Sequence, residues 1–254
     1  MTAPPTTNEA AAKHTAQRMT AGHRANRLLA ALEPEDFAGL EPHLELVELT
    51  RGQVLYDTGE AVSHAYFPHD TVVSLVNVLE AGNSVEVAVF GREGVLGLLS
   101  ALVTHEAFGR YVVQMPGTAS RISVERLNEV RNASPALRRL IMNYGEVLLA
   151  QTFQRVTCNA VHRIEARCCR WILRIHDRVG RDSLPLTHEF LAKMLGVQRS
   201  TVSGVTRSLQ TVGLIRQSRG GIIVTDRAGL KGAACECYGR IRRLYDRLLP
   251  GTYP

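Results

Sequence analysis

The chain has 254 residues, 45% hydrophobic and 21% charged, which is enough for one large or two ordinary domains with their own cores. Its longest apolar runs, such as 95–103, are about half the roughly 20 residues a membrane span requires, and residues 1–22 lack the apolar stretch of a secretory signal. Five cysteines, with Cys168 and Cys169 adjacent, do not read as a disulfide framework, so a secreted mini-protein, an integral membrane protein and a long disordered chain are excluded and a cytoplasmic location is expected.

The charge is segregated along the chain. Residues 1–154 carry 12 basic and 17 acidic side chains, whereas residues 155–254 carry 18 basic and 7 acidic ones. A basic second half behind a mildly acidic first half points to a polyanionic partner. Only Lys13, Lys193 and Lys231 are lysines; a GC-rich genome accounts for the arginine share but not for its segregation.

In chain order, residues 1–22 are rich in Ala, Thr and Pro without an apolar period and read as a flexible tail. Residues 27–32 and 35–40 read as two short helical pieces broken at Pro34. From 44 to 122, short apolar or alternating runs (44–49, 53–56, 65–67, 72–79, 84–90, 110–114 and 118–122) are separated by turn residues, among them those at 81–83, 91–94 and 116–117. Many short strands at this spacing predict a β-sandwich or small barrel. The period then becomes helical. Residues 123–130 form one short helix, and Ser134-Pro135 is an N-cap followed by proline at the first helical position. A long helix over 135–159 carries the heptad stripe Leu137, Ile141, Tyr144, Leu148, Gln151, Arg155, Cys158. That is the spacing of a two-helix seam, and a homodimer interface through Leu137, Ile141, Tyr144 and Leu148 is expected, the alternative being a helix packed on its own sheet.

Another helix covers 161–179. Thr187 then caps a short helix ending near Leu195, Gly196 supplies a left-handed turn, and a second helix spans 199–212 with Val202, Val205 and Leu209 inward. Arg199, Ser200, Ser203 and Gly204 lie near its start on the expected outer side, small, polar and basic where base edges would be. A hairpin follows, over 214–215 and 222–224, with its turn at 218–221. Helix, glycine turn, polar-fronted helix and basic hairpin together predict a winged helix-turn-helix.

The chain beyond the tail resembles the Crp/Fnr family of bacterial transcription regulators, most strongly over residues 162–245, including 186–210, Asp226-Arg-Ala-Gly-Leu230 and Ala234-Cys-Glu-Cys-Tyr238. The resemblance implies an α+β chain with a cupin-like β-roll of the cyclic-nucleotide-binding type at 23–132, a long dimerisation helix at 133–159 and a winged helix-turn-helix domain at 160–254. It implies that Arg199 meets guanine, with Ser200 and Ser203 beside it at the bases. Thr187, Gln198, Thr201 and Arg207 match phosphate-touching positions, and Arg219 in the hairpin turn joins them. Cyclic-AMP-type members have glutamate and arginine where this chain has Ser200 and Gly204, so a different operator is expected.

The effector side departs further. Gly97-Leu98 stands where cyclic-nucleotide binders place Gly-Glu, and Ala107-Phe108 where they place their phosphate-binding arginine, a small slip bringing in Arg110. Leu148-Leu149 stands where a polar pair would meet adenine. The tentative pocket of Leu98, Arg110, Leu148 and Leu149 therefore predicts an effector other than cyclic AMP, or none. No cofactor is expected, and no cysteine precedes Cys158 to hold an iron–sulfur cluster. The expected partners are double-stranded DNA, a second copy of the chain and, for an activator, RNA polymerase, with no membrane.

The rival reading is a cupin-like metal-dependent enzyme with an appended DNA-binding domain, using His64, His69 and His105. These lack a close ligand pair. The cysteines at 168, 169, 235 and 237 read as small buried apolar groups rather than a redox or metal site. His188 reads equally as a phosphate contact or a surface residue, and residues 91–94 as a β-turn.

Overall fold

The computed structural model describes residues 22–80 and 84–253. The tail expected at 1–22, Gly22 apart, and the turn at 81–83 lie outside the described residues. Asn26 caps α1 (Arg27–Ala30) through its side-chain oxygen, which accepts from the backbone N–H of Leu28 and Leu29. Pro34 does not break a helix but begins α2 (Pro34–Leu40), at the position where its missing N–H costs nothing.

Seven strands follow at nearly the expected places: β1 (Glu45–Leu49), β2 (Val54–Tyr56), β3 (His64–Pro68), β4 (Val72–Val78), β5 (Ser84–Phe90), β6 (Arg110–Met115) and β7 (Gly117–Ser123). A short helix, α3 (Leu98–Leu102), interrupts them inside the apolar run at 95–103. The strands make two antiparallel sheets, ordered β1-β7-β3 and β2-β6-β4-β5. Their facing side chains, among them Leu49, Tyr66, Leu75, Phe90, Tyr111 and Ala119, fill the space between the sheets. The roll is therefore closed by the period-two alternation visible in the sequence. On β4 and β5, Val72 and Val89 point the other way and join a second core.

That second core belongs to the C-terminal part. After α4 (Val124–Ala133), capped by Ser123, comes α5 (Pro135–Val161), 27 residues and about 40 Å long. It is followed by α6 (Ile164–Val179), β8 (Ser183–Leu184), α7 (His188–Leu195), α8 (Arg199–Thr211), β9 (Ile215–Ser218), β10 (Gly221–Val224), α9 (Arg227–Ala233) and α10 (Cys237–Leu248). Cys168 and Cys169 sit in its core with Trp171 and Ile172, as small buried groups. None of the described helices is long and apolar enough to cross a membrane.

The heptad stripe of α5 exists, but its partner is the chain itself. Leu137, Ile141 and Tyr144 are buried among Leu28, Leu98, Ile241 and Tyr245, and Leu148 packs partly buried between this cluster and the roll interior. The stripe continues inward as Gln151, which donates to Tyr245 Oη at 2.9 Å, and Arg155. The seam expected at Leu137, Ile141, Tyr144 and Leu148 is thus corrected: α10, which the sequence reading did not recognise as a helix, folds back over it. The opposite face of α5 is the one left uncovered, with Met142 72%, Leu149 54%, Phe153 64% and Val156 66% exposed. These also recur at heptad-like steps.

Two buried carboxylates seat the C-terminal part on the roll. Glu86 accepts from Ser74 Oγ at 2.7 Å, Arg155 at 2.9 Å and Trp171 Nε1 at 3.3 Å. Glu93 pairs with Arg178 of α6 with almost no exposure of either side chain. Residues 91–94 form the expected β-turn, Gly94 N–H donating to Gly91 O at 2.9 Å. Its glycines are steric requirements: a Cβ on Gly91 would lie 2.7 Å from Arg178 Cδ, and one on Gly94 2.7 Å from Tyr144 Oη.

Candidate nucleic-acid interface

Helix α7 begins where Thr187 Oγ1 accepts from Phe190 N–H at 3.2 Å, and it buries Leu191, Ala192, Met194 and Leu195. Gly196 turns the chain at φ +66°, a conformation that favours a residue without Cβ. Helix α8 then buries Val202, Val205, Thr206 and Leu209. The steps between these leave Ser200, Gly204, Arg207 and Thr211 as an exposed line along the opposite side. Arg199 is exposed in the first turn, with Gln198 at the N-cap and Thr201 exposed on the flank.

Ser203 is not on that line. Its hydroxyl donates to Arg199 O at 3.1 Å and meets His188 Nδ1 at 3.0 Å, while His188 Nε2 lies 3.1 Å from Thr206 Oγ1. His188 therefore clamps the start of α7 to the middle of α8, which corrects both readings made for it. Ser203 is half-buried beside that line, its hydroxyl shared between Arg199 O and His188 Nδ1. The wing is β9 and β10, antiparallel, with β8 added to its edge. Gln217 N–H donates to Gln210 Oε1 at 2.8 Å and ties the wing to α8. Arg216 and Arg219 are exposed on it. The exposed cations Arg199, Arg207, Arg216 and Arg219 thus come from one helix and the hairpin attached to it.

The four residues expected around an effector do not converge. Leu98 is in the core beside Leu137, Leu148 is packed between cores, and Leu149 is on the uncovered face of α5. Arg110 is paired with Asp57, whose carboxylate accepts from Nε at 3.1 Å and Nη2 at 2.7 Å. This pairing lowers the Asp57 pKa and raises that of Arg110. The tentative pocket is corrected accordingly: the three leucines lie apart from Arg110, whose Nε–Nη2 edge is held by a carboxylate. Arg110 instead lines a groove of about 330 Å³ between roll and helix-turn-helix, with Val76, Gln114, Thr187, Phe190 and Lys193. Inside the roll, Tyr111 packs edge-on to Tyr56 and against Phe90, at 6.2 and 5.9 Å between ring centroids. The rival histidines are dispersed: His64 bonds Ser63, His69 is buried against Ser120, and His105 occupies a turn at φ 60°.

Residues 166–233 match the Crp-like helix-turn-helix domain. The transcriptional regulator SdrP of Thermus thermophilus is 28% identical over 67% of this chain and 83% of its own length. A CRP-like cAMP-activated global transcriptional regulator of Mycobacterium tuberculosis is 23% identical over 77% of this chain and 90% of its own. Among solved structures, a transcriptional regulator of the CRP/FNR family from Thermus thermophilus superposes with a TM-score of 0.61 at 25% identity, over 75% of this chain and 98% of that one. The matched domain, the relatives and the structural neighbour are all of Crp/Fnr type. FixK2 of Bradyrhizobium japonicum has the same fold, with a TM-score of 0.67 at 15% identity over 76% of this chain and 98% of that one. These likenesses support a Crp-type transcription regulator with DNA binding through its helix-turn-helix.

Sequence reasoning left one group of residues unjoined. Cys235 and Cys237, read as isolated small apolar groups, lie with Cys158 and His162 at the junction of α5 and α10. Cys158 and His162 are spaced i, i+4 at the end of a helix, a signal that stood in the sequence. Their 77-residue separation from Cys235 concealed the pairing.

Proposed function

We propose that the protein acts as a dimer on a pseudo-palindromic operator and answers to an effector other than cyclic AMP, or to none. The observation that carries this reading is the exposed line Ser200–Gly204–Arg207 of α8, flanked by Arg199 and by the wing cations Arg216 and Arg219. Arg199, in the first turn, reads guanine, because a guanidinium fork matches O6 and N7 of that base. Ser200 follows it toward the bases. Thr187, Gln198, Thr201, Arg207 and Arg219 hold phosphates; Thr187 spends its oxygen as acceptor on the helix cap and keeps its hydroxyl proton for the backbone. The roll at 23–132, the long helix at 133–159 and the DNA-binding part at 160–254 are the working units. The uncovered α5 face joins two copies, with half-sites about 10 base pairs apart, roughly 34 Å. The pairing of Arg110 with Asp57 supports the effector assignment, since a carboxylate holds the Nε–Nη2 edge that a cyclic phosphate would need. Promoter-bound protein that activates would contact RNA polymerase.

The test is selection from a randomised operator library at two salt concentrations. Arg199→Ala should relax one base position per half-site at a cost of about 1–3 kcal/mol. Arg207→Ala should weaken every sequence alike and flatten the salt dependence by about one unit. A motif kept by Arg199→Ala and altered by Arg207→Ala would overturn the assignment of roles.

A further inference from the structure

We propose that Cys158, His162, Cys235 and Cys237 form a tetrahedral zinc site that clips the end of α5 to the start of α10. Cys158 lies in the last turn of α5, and His162 is the residue that terminates that helix, so the i, i+4 spacing puts both on one side. Cys235 precedes α10, and Cys237 is its first residue. The Sγ atoms of Cys158 and Cys235 are 3.6 Å apart, Cys237 Sγ is 3.6 Å from His162 Nδ1, and all four donor atoms lie within 4.8 Å of one another. Zinc bonds of about 2.3 Å to sulfur and 2.0–2.1 Å to nitrogen make tetrahedral edges of about 3.8 Å between sulfurs and about 3.6 Å from sulfur to nitrogen. The two 3.6 Å spacings match such edges, and the remaining ones, all within 4.8 Å, leave room for one ion at the centre. They are too long for a disulfide, whose S–S bond is about 2.05 Å, and too compact for a cluster of several irons, which spreads its ligands around a larger core.

The surroundings favour a metal over plain burial. The three cysteines make a small cluster of their own, with Ala166 as the partly buried apolar neighbour, separate from the main cores. Buried only as hydrophobes, they would cover little but one another. Instead polar groups attend them. Gln154 Nε2 donates to Cys237 Sγ at 3.0 Å, and Glu236 Oε1 lies 4.0 Å from His162 Nε2, the ring nitrogen away from the cluster. A carboxylate behind a ligating imidazole and an N–H on a thiolate are the usual outer partners of such a site. Three thiolates and one zinc leave a net charge of −1. Arg170, buried with its Nε free of any hydrogen-bond partner, supplies a positive field at Cys158 and Cys235. Binding deprotonates the three thiols and releases their protons to solvent, while Nδ1 of neutral His162 gives its lone pair. Soft sulfur ligands in a closed four-ligand set select zinc in a structural role, with no open position for substrate. The clip sits beside the break between α5 and α6, where the DNA-binding part leaves the long helix.

The experiment uses the full chain, produced in zinc-supplemented medium and purified without chelator or affinity tag. Elemental analysis should find one zinc per chain. The metal-stripped protein loaded with cobalt(II) should show the visible bands of tetrahedral thiolate coordination. Cys237→Ser should lose the stoichiometric zinc and Cys169→Ser should keep it. Gln154→Ala should weaken zinc about 10- to 100-fold in a dye competition. If Cys237→Ser does not fold, the cobalt spectrum and Gln154→Ala decide the matter on folded protein. Metal-free protein with free thiols and no cobalt bands, or a Cys158–Cys235 disulfide, would overturn the proposal, and so would iron in place of zinc.

Discussion

Phe153→Ala should dissociate the proposed dimer while leaving the protomer folded. Phe153 is 64% exposed on the uncovered side of α5, between Leu149 and Val156. An aromatic side chain of about 200 Å² then offers about 130 Å² to a partner. At about 25 cal/mol per Å², full burial is worth about 3 kcal/mol per protomer and about 6 kcal/mol per dimer. A position at the rim of the contact halves that figure, so the dissociation constant should rise at least about 100-fold. Ile141→Ala is the matched control. Ile141 is buried between the roll and α10, so its loss should cost about 2–5 kcal/mol of folding stability with little effect on association once folded. Sedimentation or light scattering over a dilution series, with thermal unfolding in parallel, separates the two. A Phe153→Ala dimer as tight as the wild type, or an Ile141→Ala protein that unfolds normally but falls apart into monomers, would refute the placement of the seam.

Glu93→Gln leaves the Arg178 charge buried without its counter-ion and should cost about 3 kcal/mol, roughly 6–12 °C in Tm for a chain of this size; an unchanged Tm would mean the pair does not form. His188→Ala removes the clamp between α7 and α8 and should cost about 1–2 kcal/mol, lowering affinity for every operator alike. A shifted sequence preference in that variant would instead make His188 a base contact. His69 has its pKa held down to about 4 by burial and then by the neighbouring His23, so the unfolded chain takes up a proton at higher pH than the folded one. Its contribution to stability is therefore whole above about pH 6.5 and is lost as pH falls toward 4, by up to about 3 kcal/mol. His69→Gln should flatten the unfolding free energy across that window, and an unaltered slope would count against the assignment.

The strands were legible because alternation survives in a sheet with a filled interior: β5 runs over the same residues, 84–90, that the pattern marked. The helix-turn-helix was legible through local chemistry, since Thr187, Gly196 and the inward valines act within a few residues of themselves. What failed was the identity of partners across long separations. A heptad stripe reports that one side of α5 is covered, not by what, and α10 lies about 100 residues further on. The same limit hid Cys158 from Cys235. The contact of Ser203 was hidden in the same way: His188, 15 residues earlier, reaches across the turn to its hydroxyl. The pocket residues came from position-matching, which carries no knowledge that Asp57 would occupy Arg110.

The seating of the C-terminal part on the roll has a mechanical consequence. Glu86 is met by an arginine from α5 and Glu93 by one from α6, so β5 and the turn that follows it grip two successive helices across the break between them. An oily contact can slide by small steps, each leaving most of its area covered. A dry ion pair resists sliding, because separation breaks its hydrogen bonds before water can reach either charge to solvate it. Bending at the break would have to open one of these grips outright, and the reading helix would then swing as a unit. The two pairs thus act as latches, and an input that repositions α8 by bending here has to supply the cost of opening one of them.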